Sequence, residues 1–404
     1  MDVAEFRLFV LIYFVEGLFL TFTGEVLAAR VTEVWGFDKV PGLHVLGSFA
    51  AIPWTLKLVI APFVDWGRRI RLFGNHYRGW SLFGALVMSS ALCVLPFMEG
   101  MGMTLVVVGV GSLGVALLDV SVDGFAVTSI VSKDRSRVQA VMNLGMYVGL
   151  ILGLTPLLYG FKFPWTETCF ALAAIVLLIV GIAVCMKRGM SMVNEDLVGF
   201  SWKALPHLVL NPEKRLLMFF ALFTVGAAGA TGLLAVPWMM GALKFEWPLV
   251  AKLIIGSKLL SIFGGFVAKG WSERSPIRAC FWAVVLSACS YAVLGVSWFW
   301  GNSEFMYILI VFTGIADGAI LVAALTFFMA VAQESRQNVA TEYATYSVGV
   351  NISRGYAPLL GGWFFAIFGG YGGLFFSAGV LQLLALIPLA LLWRRTQRSH
   401  NINR

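Results

Sequence analysis

An all-α integral membrane protein, with twelve transmembrane helices in two pseudo-symmetric six-helix bundles, is the fold class the sequence predicts. Three observations predict it. Hydrophobic residues make up 59% of the 404-residue chain and charged ones only 12%, about half the charged share of an ordinary soluble domain. The apolar residues gather into about a dozen runs, each near the roughly 20 residues with which a helix crosses the hydrocarbon core while satisfying its own backbone. The two halves of the chain also match each other at an offset of 201 to 202 residues.

The runs follow in order. The first six cover Phe6–Ala29, Leu43–Val64, Trp80–Met98, Met103–Ile130, Val138–Tyr159 and Thr168–Met186. After a long polar stretch come Leu216–Met240, Leu249–Val267, Ile277–Phe299, Phe305–Val331, Ala340–Phe368 and Gly373–Trp393. This divides the chain into an N-terminal bundle (1–186), a linker (187–215), a C-terminal bundle (216–393) and a basic tail (394–404). Within the linker, Phe200–Leu210 is amphipathic enough to lie along a membrane surface. The first run is long enough to span, follows Asp2 and Glu5 and lacks a small-residue cleavage site. It is expected to stay as the first span and not to be removed as a signal peptide.

The net charge of +8 is a topology signal, because Lys and Arg concentrate in short loops between apolar runs. With the N-terminus inside, 21 of the 29 fall on the inner face and five (Arg30, Lys39, Lys162, Lys244 and Lys252) on the outer. The positive-inside rule then puts both termini in the cytoplasm, with the chain in the cytoplasmic (inner) membrane and nucleic acid excluded as a partner. Cys93, Cys169, Cys185, Cys280 and Cys289 all lie in apolar stretches without paired or metal-ligand spacing, and read as small hydrophobes.

The internal match is carried by Lys57 with Lys258, and by Thr155-Pro156-Leu157-Leu158-Tyr159-Gly160 with Ala357-Pro358-Leu359-Leu360-Gly361-Gly362. Two parallel repeats are what a rocking transporter uses to open one central site to alternate sides. Gly145, Gly149 and Gly153 recur every four residues in the fifth run, which suits close helix packing.

The most specific local string is Ile52-Pro53-Trp54-Thr55-Leu56-Lys57, followed by Ala61-Pro62-Phe63-Val64-Asp65-Trp66-Gly67-Arg68-Arg69. The second part resembles the loop signature between helices two and three of major facilitator superfamily transporters. Ala61 stands where that signature has glycine, and no Arg directly follows the Asp. The resemblance covers the whole chain and implies the major facilitator fold. Pro53-Trp54, Lys57, Pro62 and Asp65, with Asp119-Val120-Ser121-Val122-Asp123-Gly124, further resemble the peptide, acetyl-CoA and drug uptake branch and the folate-biopterin carriers. That branch includes muropeptide, acetyl-CoA and siderophore transporters. The resemblance implies that Asp65, Arg68 and Arg69 form a conformational gate on the cytoplasmic face. Asp65 can accept from a neighbouring helix N-terminus, while the arginines pair with carboxylates or anionic headgroups. The fifth run lacks the first and fifth positions of the Gly-Pro-x-x-Gly-Gly string of the superfamily's antiporters.

Ionisable residues inside spans are expensive there and mark ion or substrate paths. They are Glu16, Glu25, Lys57, Asp119, Asp123, Lys258, Asp317 and Arg354. Asp119 and Asp123 are four apart, so both carboxylates share one face of the fourth helix, and with Glu16 they are the proton-coupling candidates. Counting along the helices puts Lys57 and Asp123 about 12 and 15 Å from the cytoplasmic surface, close enough to meet. Whether such a pair is a structural salt bridge or a working one stays open. Lys57, Lys258, Asp317 and Arg354 are substrate-path candidates. Fixed positive charge suits an anionic solute, and a guanidinium can grip a carboxylate with two hydrogen bonds. Tyr147 and Trp238 join them as rings able to stack on a flat ligand, although core packing explains such aromatics equally well.

The expected function is secondary active transport of a small or medium polar, favourably anionic, organic solute by alternating access, with protons as coupling ion and the lipid bilayer as environment. Import follows from the resemblance alone. A drug or metabolite exporter on the same fold and a non-transporting receptor or assembly factor remain as alternatives. A membrane enzyme is disfavoured because the outer loops are too short to carry a catalytic site. No phosphate-binding glycine loop or zinc motif is present and the four histidines are scattered, so no cofactor or metal is expected. The chain is expected to act as a monomer.

Overall fold

The structure is a computed structural model that describes residues 3–27, 29–30, 53–66, 76–130, 132–159, 162–186, 210–300, 303–334 and 339–402. Every regular element among them is helical. Ten helices are long and apolar enough to cross a membrane, from Phe6–Val26 to Tyr371–Arg395. The two other expected spans fall short of that measure among the described residues. The second is described only from residue 53, including the helix Lys57–Trp66. The eleventh, Val339–Ile367, has 29 residues and carries Glu342, Asn351 and Arg354 among its apolar ones. Most of the expected linker, residues 187–209, lies outside the described residues, and with it all of the amphipathic Phe200–Leu210 stretch but Leu210. The last span stays helical into the basic tail, as far as Ile402.

The two halves pack by one scheme. The first span lies against the fifth, as the seventh does against the eleventh. The third packs on the fourth and sixth, as the ninth does on the tenth and twelfth. Between the halves the fifth span meets the eighth and tenth, and the eleventh meets the second and fourth. The expected major facilitator arrangement is therefore present, with the first, second, fourth, fifth, seventh, eighth, tenth and eleventh spans around a central axis. Large apolar side chains such as Phe83, Leu178, Phe263, Trp282 and Trp363 point outward and are exposed, as lipid-facing surface requires.

The glycine repeat explains the contact between spans one and five. A methyl group at Gly149 would overlap the Phe14 carbonyl oxygen, and one at Gly145 would crowd the Val10 carbonyl. Backbone therefore touches backbone, the small-residue packing that holds membrane helices together without a hydrophobic drive.

Several spans are interrupted. The first ends in a π-helical turn, Phe22–Val26, and the seventh in another, Trp238–Ala242, at corresponding places in the two halves. Pro388 lacks an N–H and clashes with the carbonyl four residues back, which accounts for the break at Leu384–Ala385 between Tyr371–Leu383 and Leu386–Ile402. The seventh span breaks between Pro212–Phe223 and Gly226–Pro237 with no proline at the break.

At that break each freed backbone group we can account for has a side-chain partner. The Tyr356 hydroxyl donates to the Leu222 carbonyl at 2.5 Å. The buried Gln382 donates through Nε2 to the Phe223 and Thr224 carbonyls at 3.1 and 3.0 Å. Its Oε1 accepts from the Ala227 amide at 3.0 Å. Orphaned backbone groups at membrane depth are costly, so Gln382→Leu, which strands three of them at about 1–3 kcal/mol each, is expected to lower stability by roughly 3 kcal/mol or more. Thermal unfolding of the purified protein in detergent reads this directly, and an unchanged midpoint would remove Gln382 from the account.

Candidate functional site

Buried charge gathers on the axis in two levels. The near level lies toward the face at which the first span begins. There the first span supplies Tyr13 and Glu16, the second Trp54 and Lys57, and the fourth Asp119 and Asp123. Lys57 forms an ion pair with Asp119, and the two side chains are only 3% and 4% exposed. The Tyr13 hydroxyl donates to Asp123 Oδ1 at 2.6 Å and lies 3.3 Å from Asp119 Oδ1. The four-residue spacing thus places both carboxylates on one face. Lys57 pairs with Asp119, one turn deeper than the helix arithmetic suggested, while Tyr13 donates to Asp123.

Lys57 Nζ sits 4.8 Å from the centre of the Trp54 ring, and the Arg354 guanidinium lies 6.0 Å from the same ring. Both are within cation–π range. Glu16 is buried, and its Oε2 has no hydrogen-bond partner among the described residues. Together with Gln139, Asn143, Tyr343 and Arg354, these groups surround a small cavity of about 40 Å³. Its walls carry three carboxylates (Glu16, Asp119, Asp123) and two cations (Lys57, Arg354). One negative charge is left over, and a single proton would neutralise it.

The far level is a larger cavity of about 320 Å³ between the two halves. Lys258 Nζ lies 3.7 Å from Glu25 Oε1, linking the eighth span to the π-turn of the first, and 6.0 Å from the Tyr147 ring centre. Asp317 accepts from the Tyr291 hydroxyl, at 3.2 and 3.1 Å to its two oxygens. Among the described residues Arg354 has one hydrogen bond, a long one of 3.4 Å to Asn351 Oδ1. Trp54, Met146, Leu321 and Arg354 line both cavities and form the septum between them.

Toward the near face, polar side chains tie the halves together. Gln333, at the end of the tenth span, donates to the Val127 and Ile130 carbonyls at 3.2 and 3.0 Å and accepts from Arg135. It thereby caps the C-terminal end of the fourth span, where backbone carbonyls lack intrahelical partners. Gln139 donates to the Tyr343 hydroxyl at 3.1 Å and Ser136 to Glu273 at 3.4 Å. Deeper in, Asn143 donates to the Ser261 carbonyl and Asn351 to that of Trp54, both at 3.4 Å. Lys214 is paired with Glu342 within the second half.

Glu16, Lys57, Asp119 and Asp123 thus meet in the near cavity, Tyr147, Lys258 and Asp317 in the far one, and Arg354 faces both. Trp238 lies outside both. Its ring, 1% exposed, is packed among Phe375 at 4.6 Å and Trp298 and Tyr371, each at 6.2 Å between ring centres. Core packing, the other role open to it, is what the structure shows. Of the expected gate, Arg68, Arg69 and the Asp65 side chain lie outside the described residues. Residues weighed too lightly in the sequence are the uncharged polar ones: Tyr13, Gln139, Asn143, Gln333 and Asn351. Their signal is an amide or hydroxyl inside an apolar run, which needs a partner just as a charge does.

The chain matches the family model described as Major Facilitator Superfamily over residues 9–341. No curated protein sequence matches it. Among solved structures it is similar to the human organic anion transporter MFSD10 (TETRAN), with a TM-score of 0.68 at 14% identity, covering 96% of this chain and 98% of that one. It is similar also to the E. coli fucose:proton symporter FucP, with a TM-score of 0.68 at 12% identity over the same shares. At such identities the likeness is one of fold.

Proposed function

We propose, starting from the fact that the chain belongs to the major facilitator superfamily, that it is a proton-coupled secondary transporter taking up a small or medium-sized polar, anionic organic solute. The observation that carries this reading is the stacking of two cavities on the axis that share Arg354, the near one with three carboxylates and the far one facing a guanidinium that has no ion pair among the described residues. The near-level carboxylates Glu16, Asp119 and Asp123 would take the proton, whose arrival removes the charge that opposes reorientation of a buried site. Lys258, Arg354, Asp317 and Tyr147 would meet the solute, and Lys57 would hold Asp119 in place. Cross-half bonds at the near face would keep that side closed while the site is reached from the far side. Rocking of the halves 1–186 and 216–393 would exchange the two, with Asp65, Arg68 and Arg69 assisting the near-side closure.

The charge bias of 21 to five supports cytoplasmic termini in an inner membrane, and a single chain supplies the whole central site, which supports a monomer. The uptake branch resembled by the Pro53-Trp54 and Asp119-to-Gly124 strings supports import of peptidoglycan fragments, pterins, siderophores or acyl-CoA-like solutes. The test is solute flux in proteoliposomes under an imposed pH gradient, with an interior pH dye. Flux that survives collapse of the gradient would exclude proton coupling, and solute leaving acid-outside vesicles against its gradient would make the protein an exporter.

A further inference from the structure

We infer that the solute of the far cavity is an amphipathic organic monoanion, a single carboxylate-type head on an apolar body, whose head is held by Arg354. This rests on the transport reading and narrows it. The walls of the 320 Å³ cavity are largely aliphatic, with Leu20, Leu150, Val236, Ile320, Leu321 and Pro358 among them. A wall of that kind favours an apolar body over a sugar or a polar peptide, because each buried polar group there would need its own partner.

Four ionisable groups share the cavity: Glu25, Lys258, Asp317 and Arg354. Three are committed, Lys258 with Glu25 and Asp317 with the Tyr291 hydroxyl. Arg354 is not. No carboxylate lies within ion-pair distance of it among the described residues, and its one hydrogen bond runs to Asn351 at 3.4 Å. A guanidinium has five N–H donors in a planar fork, so most of them remain for a carboxylate, which that fork binds bidentately. One guanidinium without an ion pair offers one bidentate carboxylate site. A phosphate ester or other polyanion would set a second charge against Glu25 and Asp317, which narrows the transport reading away from acyl-CoA-like solutes and sugar phosphates. A cation would meet Arg354 head-on.

The experiment uses the purified full-length protein in detergent and probes that share one phenylpropyl body: 3-phenylpropionate, 3-phenylpropanol, 3-phenylpropylamine and 3-phenylpropyl phosphate. Tryptophan fluorescence, with Trp54 beside Arg354, and the thermal midpoint report binding. The carboxylate should bind saturably and at least about tenfold more tightly than the other three, a factor equivalent to one decade in Kd. R354Q should lose that preference, and R354K should keep the charge preference with weaker binding, since lysine cannot supply the fork. Tighter or equal binding of the amine, alcohol or phosphate would overturn the inference. So would unchanged carboxylate binding in a folded R354Q protein, or no binding of any probe up to about 10 mM. Because no flux is measured, selective binding of the carboxylate together with absence of proton-linked flux would reject the transport reading and leave this one standing.

Discussion

Lys57→Met is expected to destabilise the protein by about 3–5 kcal/mol, the usual consequence of leaving a buried charge without its partner, and Asp119→Asn by much less. An isolated ion pair would lose similar amounts either way. The cluster around Lys57 removes that symmetry. Without Lys57, three carboxylates (Glu16, Asp119, Asp123) face Arg354 alone, and the excess negative charge rises from one to two. Without the Asp119 charge, two carboxylates face two cations and the excess disappears. The double variant Lys57→Met with Asp119→Leu keeps the native excess of one and replaces the pair by apolar side chains, a change that is often neutral in buried settings. Its thermal midpoint in detergent should therefore recover most of what Lys57→Met loses. Equal losses in the two single variants, or no recovery in the double one, would show that the near cavity does not act as one electrostatic unit.

Gly149→Leu is expected to abolish accumulation of folded protein, and Gly149→Ala to cost about 1–3 kcal/mol, the range for overpacking a tight contact. The added carbon falls on the Phe14 carbonyl oxygen and close to the Leu18 amide, so spans one and five must part to admit it. Gly181 is the control, since nothing lies within 4 Å of a carbon added there. Gly181→Ala should instead stabilise by up to about 1 kcal/mol through helix propensity. Membrane yield and thermal midpoint separate the two, and a Gly149→Ala midpoint equal to or above that of Gly181→Ala would refute the close approach.

The spans were legible because their apolar runs have only one stable solution in a bilayer. The glycine repeat was legible because its period is that of a helix face. Asp119 and Asp123 could be placed on one face by the same geometry, yet their partners could not be assigned. That assignment depends on Tyr13 reaching across from the first span, and a tyrosine in an apolar run reads like any other aromatic. Gln333 and Gln382 escaped for a related reason. Each works on backbone carbonyls of helix ends or breaks, and nothing in their own neighbourhoods announces where those carbonyls are. Trp238 could not be told from a core aromatic because ring chemistry says nothing of direction, and in the structure its own neighbours fill the space around it.

The repair of the seventh span by Gln382 also sets an order of events in synthesis. The groups it satisfies lie 155 to 159 residues upstream, so the broken helix leaves the ribosome long before its partner exists. At translation rates of 5–20 residues per second the interval is roughly 8–30 s. Through that time the seventh helix has to shelter open carbonyls with water, with Tyr356 once the eleventh span is made, or with the insertion machinery. Completion of the C-terminal half therefore waits for the twelfth span, and truncations that remove that span should be recognised by quality control even though the eleven before it have been made.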